Sequence, residues 1–311
     1  MLVVLGHIAS PLSTIIFSFH IPLFFFLGGV FIKTAYPTID FLKKNFVRLI
    51  VPYLIFGALG LLVNDLKNIL LHRPLEGFLH SVTGLLFWMD VARLQHYGLV
   101  LWFLPALFWA RMLSYFLIKY LRLNELPILM LCVMCAYLFS SLINISLPFG
   151  LDKGMVAMPW VFMGFVFNRH KEKILTLSVY KAMLIALLVF LIIYFGGMPR
   201  LDMASKNVGH IFVTLPYTFS VIILITYFTY NVNFAVYAPL KMISTVVSKF
   251  GSQSMLVYIV HPYTNNGADL LATYFLGEGY WYIKFAATAA MLMAVIQVKL
   301  HHQDSPLFRY L

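Results

Sequence analysis

Long apolar runs separated by short polar breaks dominate this sequence. Runs such as 182–195 and 211–230 lack the strict apolar–polar alternation of a barrel strand. Lipid gives the backbone no hydrogen-bond partners, so a chain crossing it must do so as helices or as a closed barrel. The pattern therefore predicts helices, each needing roughly 20 apolar residues to cross the hydrocarbon layer. Spans are predicted at 1–9 (incomplete), 13–32, 49–68, 98–118, 126–146, 155–168, 175–195, 210–230, 250–264 and 280–299. The expected fold is all-α: a polytopic transmembrane helix bundle of about ten spans, forming a single domain over 1–311. No soluble domain, repeat array or low-complexity tract interrupts it. The longest connection, 71–97, contains Leu86-Phe-Trp-Met, which suits a short segment lying at the interface.

Composition supports this picture. The 311 residues are 62% hydrophobic and 11% charged, whereas a soluble domain carries about 25% charged residues. The formal charge of +11 marks cytoplasmic loops in a membrane chain, and nucleic acid is not an expected partner. Fourteen of the 22 Lys and Arg residues fall at one set of span ends, seven at the opposite set, and Arg111 is left inside a span. The richer set is expected in the cytoplasm, which places the C-terminus there. Ten alternating spans place the N-terminus there too. Nine residues before the turn at Ser10-Pro11 rise only about 13 Å, and no basic signal-peptide region is present. The first span is therefore expected to lack its cytoplasmic half. Cys132 and Cys135 form C-x-x-C, but they lie in an apolar run without partner ligands, so they read as small packing side chains.

Polar residues inside lipid are expensive and point to function. His7, His20 and His261 are predicted at similar depth, in the outer half of the bilayer, and Trp102 shares that depth. Each histidine alone suits a bond to a neighbouring backbone carbonyl or a packing contact. Three at one level point to a site, since neutral imidazole is the usual general base near pH 7. None shows local metal-ligand spacing, so no metal is expected. Lys43, Lys44 and Arg48 gather where the third span meets the cytoplasm. Arg suits bidentate phosphate contacts and Lys supplies point charge; the plainer reading is a positive-inside anchor.

Six motifs then occur in order: Val3-Val-Leu-Gly-His7, Phe19-His-Ile-Pro-Leu-Phe-Phe-Phe-Leu-Gly-Gly29, Arg48-Leu-Ile-Val-Pro-Tyr53, Trp102-Phe-Leu-Pro-Ala-Leu-Phe108, Leu147-Pro-Phe-Gly-Leu-Asp152 and Tyr258-Ile-Val-His-Pro-Tyr263. Together they resemble the acyltransferase-3 family of bacterial inner-membrane proteins, in the branch similar to fucose 4-O-acetylases. The resemblance implies transfer of an acyl group, usually acetyl from acetyl-CoA, to a hydroxyl of a cell-envelope or exported glycan. It implies that His7 is the essential first-span histidine, joined here by His20 as catalytic, and that Arg48, with Lys44 and Lys43, handles acyl-CoA. Trp102, Asp152 and His261 match recurrent positions and are assigned to the acceptor. Two departures stand out. The basic residue usual about ten positions before the first histidine is absent. The usual Arg-x-x-Arg reads Asn45-Phe-Val-Arg48, where Lys44 offers compensating charge without bidentate geometry.

The mechanism expected from these residues keeps coenzyme A on the cytoplasmic side. His7 either deprotonates the sugar hydroxyl or carries the acyl group itself. Trp102 stacks on a sugar face, and Asp152, in a short external loop, accepts sugar hydroxyls. The competing class is a transporter or flippase, which usually shows internal repeats; none is evident here, and a third reading is an inactive, truncated acyltransferase, given the incomplete first span. The acceptor sugar, the acyl group and the oligomeric state are not legible. His301-His-Gln-Asp at the last helix end reads as a solvated tract.

Overall fold

The computed structural model describes residues 1–8, 10–75, 77–88, 99–121, 123–231, 238–276 and 280–302. Arg93, Arg122, Arg309 and the ends of the Leu86 and His301 segments lie outside them. The chain is all-α, as the apolar runs require, with one isolated bridge between Asp202 and Asn207. In chain order the helices are α1 (Leu2–Gly6), α2 (Ser13–Phe17), α3 (His20–Val30), α4 (Thr38–Asn45), α5 (Val51–Leu70), α6 (Phe78–Thr83), α7 (Phe103–Tyr120), α8 (Glu125–Tyr137), α9 (Leu151–Leu175), α10 (Val179–Gly196), α11 (Ile211–Asn231), α12 (Ala238–Ser252), α13 (Ser254–Leu276) and α14 (Trp281–His301).

Seven helical stretches among the described residues are long and apolar enough to cross a membrane, and these make it a multi-pass membrane protein. They cover seven of the ten expected spans. The remaining three differ instructively. Segment 1–9 forms only the five-residue α1. The 155–168 span is the middle of the 25-residue α9, whose ends carry Asp152, Lys153, Arg169, Lys171, Glu172 and Lys173. The 250–264 span is divided: α12 stops at Ser252, and α13 runs on through Pro262 to Leu276.

Prolines shape the backbone where sequence periodicity is silent. Proline has no N–H to give to the carbonyl four residues back. Pro22 thus has no N–H to offer the Ser18 carbonyl, and the helix breaks there, between α2 and α3. Pro52 likewise cannot serve Arg48, and a wider π turn, Phe46–Ile50, joins α4 to α5 at that point. The joined helix runs over Thr38–Leu70, 33 residues, or about 50 Å at the α-helical rise. That exceeds the hydrocarbon core of about 30 Å. Both of its ends carry charge: Asp40, Lys43 and Lys44 at one, Asp65 and Lys67 at the other.

The chain divides into two compact units. The unit of Ile21–Thr229 holds α4 to α10 with most of α3 and α11. Its tightest crossing is α3 on α9. A Cβ on Gly29 would stand 1.8 Å from the Val161 carbonyl oxygen, and one on Gly164 would stand 1.9 Å from that of Phe26. Only glycine lets these backbones meet, the usual way helices associate in lipid. Phe26, Phe167 and Ile222 close the same seam, and Trp160 donates to Thr218 Oγ1 at 2.8 Å.

The unit of Met1–His20 and Tyr230–Leu311 joins the two ends of the sequence. Val4 and Ile8 from the N-terminus pack with Phe250, Leu256, Val257, Leu292 and Ile296. This core docks α1 against α13 and α14. Gly6 permits α1 to fold back on α2, since its Cβ would lie 3.1 Å from Ile16 Cγ2. The ion pair Lys284–Asp269 and the 2.6 Å bond from Lys299 Nζ to Gln253 Oε1 set α13 and α14 antiparallel.

Candidate active site: a histidine cluster and a cationic edge

Three segments distant in sequence deliver His7, His20 and His261 to one place. His7 caps α1, His20 opens α3 after the break at Ser18, and His261 sits one turn beyond Val257 of the shared core. The His7 ring lies 5.1 Å from that of His261 and 6.4 Å from that of His20, centroid to centroid. Phe17 packs 5.5 Å from His7 and 5.0 Å from His20, walling the group with an apolar ring. His20 and His261 are fully buried, whereas His7 is exposed.

All three rings are held in the same way. Nδ1 of His7 lies 2.9 Å from the Val3 carbonyl oxygen, that of His20 2.8 Å from Ile16, and that of His261 2.7 Å from Tyr258. A carbonyl only accepts, so the proton of each neutral ring resides on Nδ1 and the lone pair on Nε2. At His261 the origin is explicit. Pro262 withholds its N–H from Tyr258, and the adjacent imidazole takes up that carbonyl. Nε2 of His20 and of His261 is buried without a hydrogen-bond partner among the described residues. Leaving such a group unpaired costs about 1–3 kcal/mol, and a bound hydroxyl would recover it. The bland expectation, backbone bonding, is thus correct for Nδ1 and leaves Nε2 available. Among the described residues, no three His, Cys, Asp or Glu side chains form a metal-ligating group.

His261 lies inside a helix that outruns the expected span 250–264. It is not near a helix end: α13 continues for fifteen residues past it, about 22 Å. A proline in lipid does not stop a helix when the freed carbonyl finds another donor.

The second feature lies within the Ile21–Thr229 unit. Lys43, Lys44 and Arg48 are exposed on α4 and the π turn. Lys44 Nζ stands 3.8 Å above the Tyr36 ring, a cation–π contact. Lys119 Nζ donates to the Tyr36 carbonyl at 2.8 Å and to Tyr115 Oη at 2.6 Å, and Tyr115 stacks on Phe41 at 4.1 Å. Lys44 is thus engaged by an aromatic ring. Asn45 is instead contacted by Arg111, whose Nε donates to Asn45 Oδ1 at 2.7 Å. Sequence reading had set Arg111 aside as a stray charge inside a span; that location was the available signal.

Two acceptor assignments find other surroundings. Trp102 is 8% exposed and packs against Phe25 and Phe103, so its ring is part of an aromatic core. Asp152 is not in a loop. It is the second residue of α9, 1% exposed, and its Oδ2 lies 3.2 Å from Lys206 Nζ. Lys206 also donates to the Ile145 carbonyl at 2.8 Å. The motif around Asp152 builds a turn: Phe149 and Gly150 are left-handed (φ 58° and 68°), and Trp109 Nε1 donates to the Phe149 carbonyl.

The family model described as an acyltransferase domain matches residues 1–296 of the sequence. The chain belongs to the acyltransferase-3 family. No curated protein and no solved structure matches it. Membership extends over both units, from before His7 to beyond His261, and suggests acyltransferase activity with an acyl donor.

Proposed function

We propose that this protein is an O-acyltransferase, moving an acetyl group from cytoplasmic acetyl-CoA to a hydroxyl of a cell-envelope or exported glycan in a bacterial inner membrane. The observation that carries the proposal is the trio of imidazoles whose Nδ1 atoms are tied to backbone carbonyls, two of them with buried, unpartnered Nε2. The branch resemblance to fucose 4-O-acetylases supports acetyl and sugar. The exposed Lys43 and Arg48 beside Lys44 support a phosphorylated donor.

In this reading His7 is the base, being the exposed member of the group. Its Nε2 takes the proton from the sugar hydroxyl as that oxygen attacks the thioester carbonyl carbon. The C–S bond then breaks, and the coenzyme A thiolate leaves with the proton returned from His7. His20 and His261 accept hydrogen bonds from the acceptor and fix its orientation. Asp152, held by Lys206, is assigned to shaping the segment it anchors, and Trp102 to the aromatic core it shares with Phe25 and Phe103.

Membrane vesicles bearing the protein, given acetyl-CoA with a radiolabelled acetyl group, provide the test. Label entering glycan, and lost in His7→Asn, supports the reading. No transfer to any envelope glycan refutes it. Label retained on purified protein before acceptor is added would identify an acyl-histidine route in place of direct transfer.

A further inference from the structure

Arg111 is a cation without a carboxylate partner among the described residues. It projects from the middle of α7, nine residues before the helix ends. Its Nε is bonded to Asn45 Oδ1, its Nη1 to the Gly28 carbonyl, and its guanidinium lies 5.8 Å from the Phe41 ring. Asn45 is itself 6% exposed and locked, its Nδ2 donating to the Phe41 carbonyl at 2.7 Å. Among the described residues no carboxylate pairs with Arg111. A second cation, Arg48, follows Asn45 by three residues, about one helical turn. A partly buried cation without a carboxylate is costly, and a second cation about one turn from its anchor adds to that cost unless an anion is bound.

The level of this pair is set by the long helix. Hydrocarbon accounts for about 30 of its roughly 50 Å, and the uncharged run 49–64, about 24 Å, makes up most of that part. Asn45 and Arg48 therefore stand where lipid gives way to cytoplasm, and the Arg111–Asn45 bond brings the Arg111 head to the same level. A purely structural anchor would need only Nε and one Nη1 hydrogen. Nη2 makes no hydrogen bond to any described residue.

We infer that Arg111 is a phosphate-binding residue of the donor site: with Arg48 it forms a two-guanidinium clamp for a phosphate of coenzyme A. The inference rests on the donor reading above and deepens it. It also explains why Asn is acceptable at position 45, because the second guanidinium arrives from α7 and Asn45 holds it in place. Planar forks that grip a phosphate bidentately are what arginine supplies and lysine does not.

The test measures binding of coenzyme A, 3′-dephospho-coenzyme A and S-acetylpantetheine to purified protein in nanodiscs. Arg111→Gln should weaken coenzyme A at least tenfold and leave acetylpantetheine, which lacks the nucleotide phosphates, unchanged. Dephospho-coenzyme A shows which phosphate is held: it weakens equally if the pyrophosphate is clamped and is unaffected if the 3′-phosphate is. Should Arg111→Gln fail to fold, the exchange Asn45→Arg with Arg111→Asn decides, because it returns the pair in reverse; affinity within about threefold of wild type supports the clamp. Unchanged coenzyme A binding in Arg111→Gln, equal loss for acetylpantetheine, or tenfold loss in the exchange overturns it. Wild-type protein without affinity for coenzyme A would remove the donor reading itself.

Discussion

Replacing Pro262 by alanine should give a more stable protein that is a poorer catalyst. Position 262 lies inside a 23-residue helix, where proline is up to about 3 kcal/mol less favourable than alanine. The penalty here is already partly offset, since His261 Nδ1 satisfies the Tyr258 carbonyl at 2.7 Å, an interaction contributing about 1 kcal/mol. Alanine restores the missing N–H and competes for that carbonyl. The net gain should be about 1–2 kcal/mol, seen as a rise in Tm by scanning fluorimetry in detergent. The loss follows from the same bond. One kcal/mol orders the His261 ring, and its tautomer, about fivefold, so sharing the carbonyl should lower transfer of labelled acetyl groups about two- to fivefold. His261→Asn is the control, because its amide N–H can still reach Tyr258 while Nε2 is gone; it should keep wild-type Tm and lose more activity than Pro262→Ala. A lower Tm for Pro262→Ala, or a higher Tm with full activity, would refute the coupling of proline, carbonyl and imidazole.

Other predictions follow from single contacts. His7→Asn, tested by acetyl transfer in vesicles, should lower turnover about 10²–10⁴-fold, the range of general acid–base catalysis, with little change in Tm. Gly164→Ala should destabilise by at least about 1–3 kcal/mol through overpacking, since the new Cβ meets the Phe26 carbonyl; expression and unfolding temperature report it. Lys206→Met should cost about 3–5 kcal/mol by leaving Asp152 buried and unpaired, and Asp152→Leu added to it should recover part of that loss. Unfolding temperatures that show no recovery would assign the Lys206 effect to its bond with Ile145.

The sequence made the class of fold plain because lipid enforces it: apolar runs of spanning length can only be helices. It was poorest at polar or proline-bearing helices. The ends of α9 carry charge, and α13 carries His261, Asn265, Asn266 and Asp269, so periodic hydropathy fades where the helices persist. The histidines were found because imidazoles in apolar runs are conspicuous. Their convergence was not derivable, since it depends on a core joining residues 4 and 8 to residues 250–296. Trp102 and Asp152 were visible as unusual residues, but their partners, Phe25 and Lys206, lie far along the chain. Arg111 was noticed only as an exception to the charge count, because its partner Asn45 is 66 residues away.

Nitrogen-15 NMR of histidine-labelled protein in lipid tests the central claim most directly. Two resonance sets, assigned by their loss in His20→Asn and His261→Asn, should show a protonated Nδ1 and a bare Nε2 whose shift moves when an acceptor hydroxyl binds. A proton on Nε2 of either ring, with Nδ1 bare, would contradict the backbone-fixed tautomers on which the catalytic reading depends.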